Sequence, residues 1–125
     1  MKQALVIEDD DALNEHVSEL LRQSGYRVSN AFTGDDGLRI FRSVNPDVVI
    51  LDIFMPGKDG LEALIEMRRE NTRAKILLIS GKQHLLSKQS LKMAQQLGAD
   101  ATLSKPFTGK ELLDLVGSLT QSATA

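Results

Sequence analysis

Four apolar, strand-like runs in this chain end in polar residues: Glu8 and Asp9 after Ala4–Ile7, Asp52 after Val48–Leu51, Ser80 after Ile76–Ile79, and Lys105 after Ala101–Ser104. In an open parallel sheet the carboxyl ends of the strands share one rim, so residues distant in sequence can converge there on one ligand. Clustered carboxylates raise one another's pKa unless a cation is present. Mg2+ suits such a set, because it prefers oxygen ligands, takes one or two carboxylates, and keeps open positions for water and phosphate oxygens. Asp52 is then placed for nucleophilic work, since a carboxylate can take a phosphoryl group as an acyl phosphate. The metal, the Lys105 ammonium and the Ser80 hydroxyl would neutralise charge on the equatorial oxygens. Gly81 leaves room beside that site.

Plainer readings compete at several of these positions. Acids often cap the helix that follows a strand, and Asp10 and Asp11 are read that way. Lys105 alone could compensate the acids, but that leaves a surplus of negative charge. Met55-Pro56-Gly57 reads as a loop turn that carries the chain away after Asp52. Pro106 makes a cis bond after Lys105 accessible, which would aim the lysine back over the rim.

These residues need a scaffold, and segments of helical period lie between the apolar runs. Leu13, Val17, Leu20 and Leu21 fall at i, i+4, i+7 and i+8, and Gly25 stops that helix. Tyr26–Ala31 alternates and is more polar, as expected for an edge strand. Leu38, Phe41 and Val44 mark a second helix, opened by Thr33-Gly34 and closed by Asn45-Pro46. The third helix carries Leu61, Leu64 and Ile65. Asp59 with Glu62, and Thr108 with Glu111 before Leu112, Leu115, Val116 and Leu119, have capping-box form. A fourth helix with Leu91, Ala94 and Leu97 ends at Gly98, after a loop within Gly81–Ser87 that is expected to be mobile. Five strand-helix units of this kind predict an α/β, doubly wound (βα)5 domain with a parallel five-stranded sheet. The polar second run favours strand order 2-1-3-4-5, as in flavodoxin-like folds. Residues 1–120 form one domain in this reading, and 121–125 a short polar tail.

Composition narrows the classes. A length of 125 residues suits one domain, and 42% hydrophobic with 26% charged residues is ordinary for a globular chain. No apolar run approaches the roughly 20 residues of a membrane-spanning helix, and the start does not read as a signal peptide. Zero cysteines exclude disulfides, thiol catalysis and thiolate zinc sites. A net charge of −2 offers no basic footprint for nucleic acid. A cytoplasmic protein without direct nucleic-acid or membrane contact is expected. His16 and His84 read as surface residues, and Met55, Met67 and Met93 as space-filling.

In its motifs the chain resembles a receiver domain of the two-component response-regulator family, over Gln3 to Leu119. The matching pieces are Val6-Ile7-Glu8-Asp9-Asp10, Leu51-Asp52-Ile53-Phe54-Met55-Pro56 with Asp59-Gly60, Ile79-Ser80-Gly81, and Gly98-Ala99-Asp100 running to Lys105-Pro106-Phe107. The resemblance implies Asp52 as phosphoacceptor, Glu8 and Asp9 as the acidic metal pair, and Ser80 and Lys105 as phosphoryl contacts. It also implies that the Phe54 backbone carbonyl completes the Mg2+ shell. The partner would be a sensor histidine kinase or a histidine phosphotransfer protein, and the module would be a switch that catalyses only its own phosphorylation and slow dephosphorylation. Output is expected through the fourth helix, fifth strand and fifth helix, with Gly81, Thr102 and Pro106 in the switching region.

Two departures shape that expectation. Many relatives carry, three residues before the lysine, an aromatic ring that swings inward on activation, and Thr102 stands there instead. Phosphatases of the haloacid dehalogenase type, which also use an aspartate nucleophile and magnesium, place a second aspartate two residues on. That position is Phe54, which ranks the enzyme reading low. A flavin or nucleotide binder on the same fold ranks low too, because no glycine-rich phosphate loop follows the first strand. No helix-turn-helix or catalytic domain follows Leu119, so the domain is expected to work through protein contacts or as a piece of a longer protein.

Overall fold

Successive side chains of a strand point to opposite faces, so a strand that is apolar throughout needs a hydrophobic layer on each side. In a computed structural model of the chain, β1 (Gln3–Ile7), β3 (Val48–Asp52) and β4 (Lys75–Ser80) meet that demand and are buried nearly from end to end. β2 (Arg27–Ala31) and β5 (Ala101–Ser104) are half-buried and form the edges. The structure describes residues 1–53, 60–71, 73–81 and 88–121, with backbone alone at 88–91 and 93. All strand pairs are parallel, in the order β2-β1-β3-β4-β5. The doubly wound arrangement expected from the alternation is therefore the one the chain adopts.

The five helices are α1 (Asp11–Gln23), α2 (Gly34–Val44), α3 (Gly60–Glu70), α4 (Lys88–Leu97) and α5 (Gly109–Thr120). Leu5, Ile7, Val49, Leu51, Ile76 and Leu78 face α2, α3 and α4 through Leu38, Phe41, Leu64, Met67 and Ala94. The alternate residues Ala4, Val6, Val48, Ile50, Leu77 and Ile79 face α1 and α5 through Val17, Leu21, Leu112 and Val116. The two layers are thus written residue by residue into the strands. No described helix is long and apolar enough to cross a membrane.

Local chemistry sets the helix ends. The Asp10 carboxylate accepts the Leu13 amide at 3.1 Å, the capping role read from the sequence. Thr33 accepts from Asp36, and Thr108 with Glu111 forms a complete capping box. α2 ends where Asn45 takes the left-handed conformation, with φ 48°. β2 begins one residue later than expected, because the Tyr26 amide turns back to the Leu21 carbonyl and closes α1 instead of joining the sheet. Asp59, His84, Met55 and residues 82–87 of the expected mobile loop lie outside the described residues, as does the tail beyond Gln121. His16 is exposed, as expected.

Candidate functional site

Register brings the polar strand ends together. Ile7 pairs with Leu51, Asp52 with Ile79, and Ser80 with Ser104, so Glu8, Asp52, Ser80 and Lys105 follow one another across four adjacent strands. The Glu8 amide donates to the Ala31 carbonyl at 3.1 Å, and the Lys105 amide to the Ser80 carbonyl at 2.7 Å. Glu8, Asp52 and Ser80 are each only 4% exposed, whereas Asp9 faces solvent. This is a recessed polar site over an apolar sheet, open on the side of Asp9.

At Gly60 the start of α3 presses against the end of β3. A Cβ there would lie 2.3 Å from the Asp52 carbonyl oxygen and 2.6 Å from the Ile53 Cα, and the Gly60 amide donates to Ile53 at 2.8 Å. Backbone cannot give way as a side-chain tip can, so only glycine fits beside the Asp52 peptide.

Glu8, Asp9 and Asp52 each offer an oxygen within 4.8 Å of the others. The Lys105 ammonium is 3.1 Å from Glu8 Oε1 and 3.5 Å from Asp52 Oδ2. Burial, followed by a hydrogen bond with the Asp52 carboxyl, pushes the Glu8 carboxyl up to about 7. The Asp10 amide, 3.2 Å from Glu8 Oε2, and Lys105 pull in the opposite direction but do not prevail. For Lys105, burial favours the neutral amine, yet Asp52 and Glu8 outweigh it and hold the group above its ordinary value. Among the described residues, one ammonium thus pairs with two of three clustered carboxylates. A set of hard oxygen donors with surplus negative charge, one member of which holds its proton near neutrality, fits a small divalent cation.

Of the residues singled out in the sequence, Glu8, Asp9, Asp52, Ser80 and Lys105 meet at this rim. Gly81 follows directly and is half-buried. The Lys105–Pro106 bond is cis, and Pro106 is exposed. Thr102 lies back from the rim on β5, paired with Leu78 and half-buried. Phe54 lies outside the described residues, with Met55, Pro56 and Gly57.

Sequence reasoning missed a buried polar chain beneath Glu8. Asn14 and Ser18 on α1 are buried, and Asn14 donates to the carbonyls of Glu8 and Ala31 at 3.0 and 2.9 Å. A signal was present: Asn14 and Ser18, four apart, share the helix face of Val17 and Leu21, where apolar residues are the rule.

Comparison with known proteins agrees with the geometry. A family model described as the response regulator receiver domain matches residues 4–117. The transcriptional regulatory protein AfsQ1 of Streptomyces coelicolor is 35% identical over 112 residues, 90% of this chain and 48% of the relative. The transcriptional regulatory protein DltR of Streptococcus agalactiae is 37% identical over 87% of this chain and 47% of its own length. The chain therefore spans about half the length of these curated relatives. Among solved structures, the receiver domain of the Francisella response regulator 1452 superposes with a TM-score of 0.88 at 27% identity, covering 97% of this chain and 98% of that one. The chemotaxis protein CheY4 of Vibrio cholerae gives 0.88 at 26% identity, covering 95% and 98%.

Proposed function

The chain belongs to the response regulator receiver domain family of two-component signalling, and on that premise we propose that it is a phosphoacceptor switch in which Asp52 takes a phosphoryl group from a phosphohistidine. One observation carries the reading: a buried Asp52 carboxylate at a strand end, 3.5 Å from an ammonium and within 4.8 Å of two further carboxylates. Residues 1–120 serve as the receiver module, in the cytoplasm. Its partner is a sensor histidine kinase or a histidine phosphotransfer protein.

Glu8, Asp9 and Asp52 would hold Mg2+, with the Phe54 carbonyl as a further ligand. When bound, the ion offsets the charge of the carboxylates and of the incoming phosphoryl oxygens. An Asp52 oxygen attacks phosphorus, a P–O bond forms as the P–N bond to the donor imidazole breaks, and the electron pair leaves with the imidazole. Lys105 neutralises charge on an equatorial oxygen, and the Ser80 hydroxyl donates to another. Glu8, when protonated, relieves repulsion among the carboxylates, and it would have to give up that proton to serve as a metal ligand.

Output follows from connectivity. Ser80 and Lys105 end the two strands that flank α4, and their backbones are joined by the 2.7 Å bond between the Lys105 amide and the Ser80 carbonyl. A phosphoryl group that draws both side chains inward biases the segment after Ser80, through Gly81, and with it the surface of α4, β5 and α5. Thr102 and Pro106 move with that surface, without an aromatic ring to swing. A downstream protein would read that face.

Intact-mass measurement after mixing the protein with Mg2+ and a small phosphodonor tests the proposal. A gain of one phosphoryl group is expected, lost on chelation and absent in Asp52→Asn. Label that persists in Asp52→Asn, or uptake indifferent to Mg2+, would overturn it.

A further inference from the structure

Beyond the last paired residues of β1 and β2, Ile7 and Ala31, the Ala31 carbonyl still accepts the Glu8 amide at 3.1 Å, but the Glu8 carbonyl lies past the ladder and needs another partner. A buried carbonyl without a partner costs about 1–3 kcal/mol. Asn14 supplies the partner for Glu8, donating to its carbonyl at 3.0 Å, and donates also to the Ala31 carbonyl at 2.9 Å. Its own carbonyl accepts from Ser18 Oγ at 3.2 Å and from Asn30 Nδ2 at 2.6 Å. Asn30 Nδ2 also donates to Ser18, and Asn30 Oδ1 accepts from Arg22 at 3.2 Å. Both donors and the acceptor of the Asn14 amide are thereby engaged. The two carbonyl acceptors leave one orientation for the amide, NH2 toward the rim.

The peptide that Asn14 holds is the one joining Glu8 to Asp9. Its carbonyl is fixed by Asn14, while the Glu8 amide one step earlier is fixed by Ala31 at 3.1 Å. Asparagine inside a helix is a poor helix former, and Asn14 is 1% exposed in a row otherwise suited to apolar packing. A local rule broken next to a site is the pattern expected where function sets the residue. We propose that Asn14, oriented by Ser18 and Asn30, is a positioning residue that sets the Glu8–Asp9 peptide so that both carboxylates meet a divalent cation without rearrangement. The inference rests on the reading of the rim as a Mg2+ site.

The test is a Mg2+ titration followed by backbone NMR, run on wild type, Asn14→Leu and Val17→Ala, with the thermal midpoint of each recorded. Val17 lies on the same helix face, in the core below the rim, and serves as a control for lost stability. Asn14→Leu should raise the Mg2+ dissociation constant roughly tenfold, as removal of a residue behind metal ligands does. Val17→Ala should lower the midpoint and leave the constant within about twofold of wild type. An unchanged constant in Asn14→Leu, or an equal rise in Val17→Ala, would overturn the assignment. Should Asn14→Leu not fold, Asn30→Ala at the half-buried edge strand reads the same claim, with a smaller rise expected and no rise overturning it. Wild type that binds no Mg2+ would instead overturn the metal reading on which the inference stands.

Discussion

The two ends of the sheet both carry half-buried charge, and they handle it in opposite ways. At the amino ends of the strands, Arg68 from α3 donates to the Gly98 carbonyl at 2.9 and 2.7 Å, to Ala74 at 2.6 Å and to Asp100 Oδ2 at 2.6 Å. Asp100 Oδ2 also accepts the Ile76 amide at 2.8 Å. Gly98, with φ +119°, lets the chain pass the arginine stem, because a Cβ there would lie 2.7 Å from Arg68 Cγ. One cation meets one anion, and the remaining donors find carbonyls. At the carboxyl ends, one ammonium meets two of three clustered carboxylates, and one of these holds its proton up to about 7. A saturated charge pair ties elements together. Carboxylates that outnumber the ammonium beside them, among the described residues, form the kind of oxygen-donor set that suits a small divalent cation.

Removing the only ammonium that reaches the carboxylate triad, among the described residues, should have the largest effect. Lys105→Ala should still take up phosphoryl but lose most of the resulting change on α4, β5 and α5. Amide NMR of the phosphorylated proteins would show it as shifts at Thr102 and Gly98 that collapse in the variant. Shifts of wild-type size there would break the link between rim and output face. At the other pole, Arg68→Ala should cost about 2–3 kcal/mol, since several charge-assisted hydrogen bonds go at once. Denaturant unfolding measures that loss, and phosphoryl uptake per folded molecule should be unchanged. An uptake defect without loss of stability would mean that the two poles are not separable in this way.

Much of this contrast was legible in the sequence, for identifiable reasons. β1, β3 and β4 are apolar on both faces, so their burial and polar ends follow from the sequence pattern, and Glu8, Asp52 and Ser80 come with them. Thr108 and Glu111 announced the start of α5, because a capping box is local chemistry. What stayed hidden depends on tertiary neighbours. Arg68 lies within α3 like any surface arginine, and only the fold brings Gly98 and Asp100 to it. Asn14 acquires its role from the Glu8 and Ala31 carbonyls above it. Tyr26 reads as strand by type, yet its amide is claimed by the helix end before it.

The smallest expected effect is a pH dependence, and its sign follows from Glu8. A folded-state value raised from 4.5 to about 7 means that the folded protein binds this proton more tightly than the unfolded chain. The metal-free protein should lose about 1–3 kcal/mol of stability as pH rises from about 4.5 to about 7, and little from this group above that. Mg2+ should flatten the slope, since it stabilises the ionised form and adds binding energy at the upper end. Lys105, also raised, contributes stability at all these pH values and loses it only above the ordinary lysine range.

Direct titration of the Glu8 side-chain carboxyl carbon by NMR, with and without Mg2+, tests the central claim that this rim is a cation site held ready. Without metal the group should titrate near 7, and saturating Mg2+ should move it downward. A Glu8 that titrates at the ordinary carboxylate value in both conditions, or one that Mg2+ leaves in place, would contradict the account.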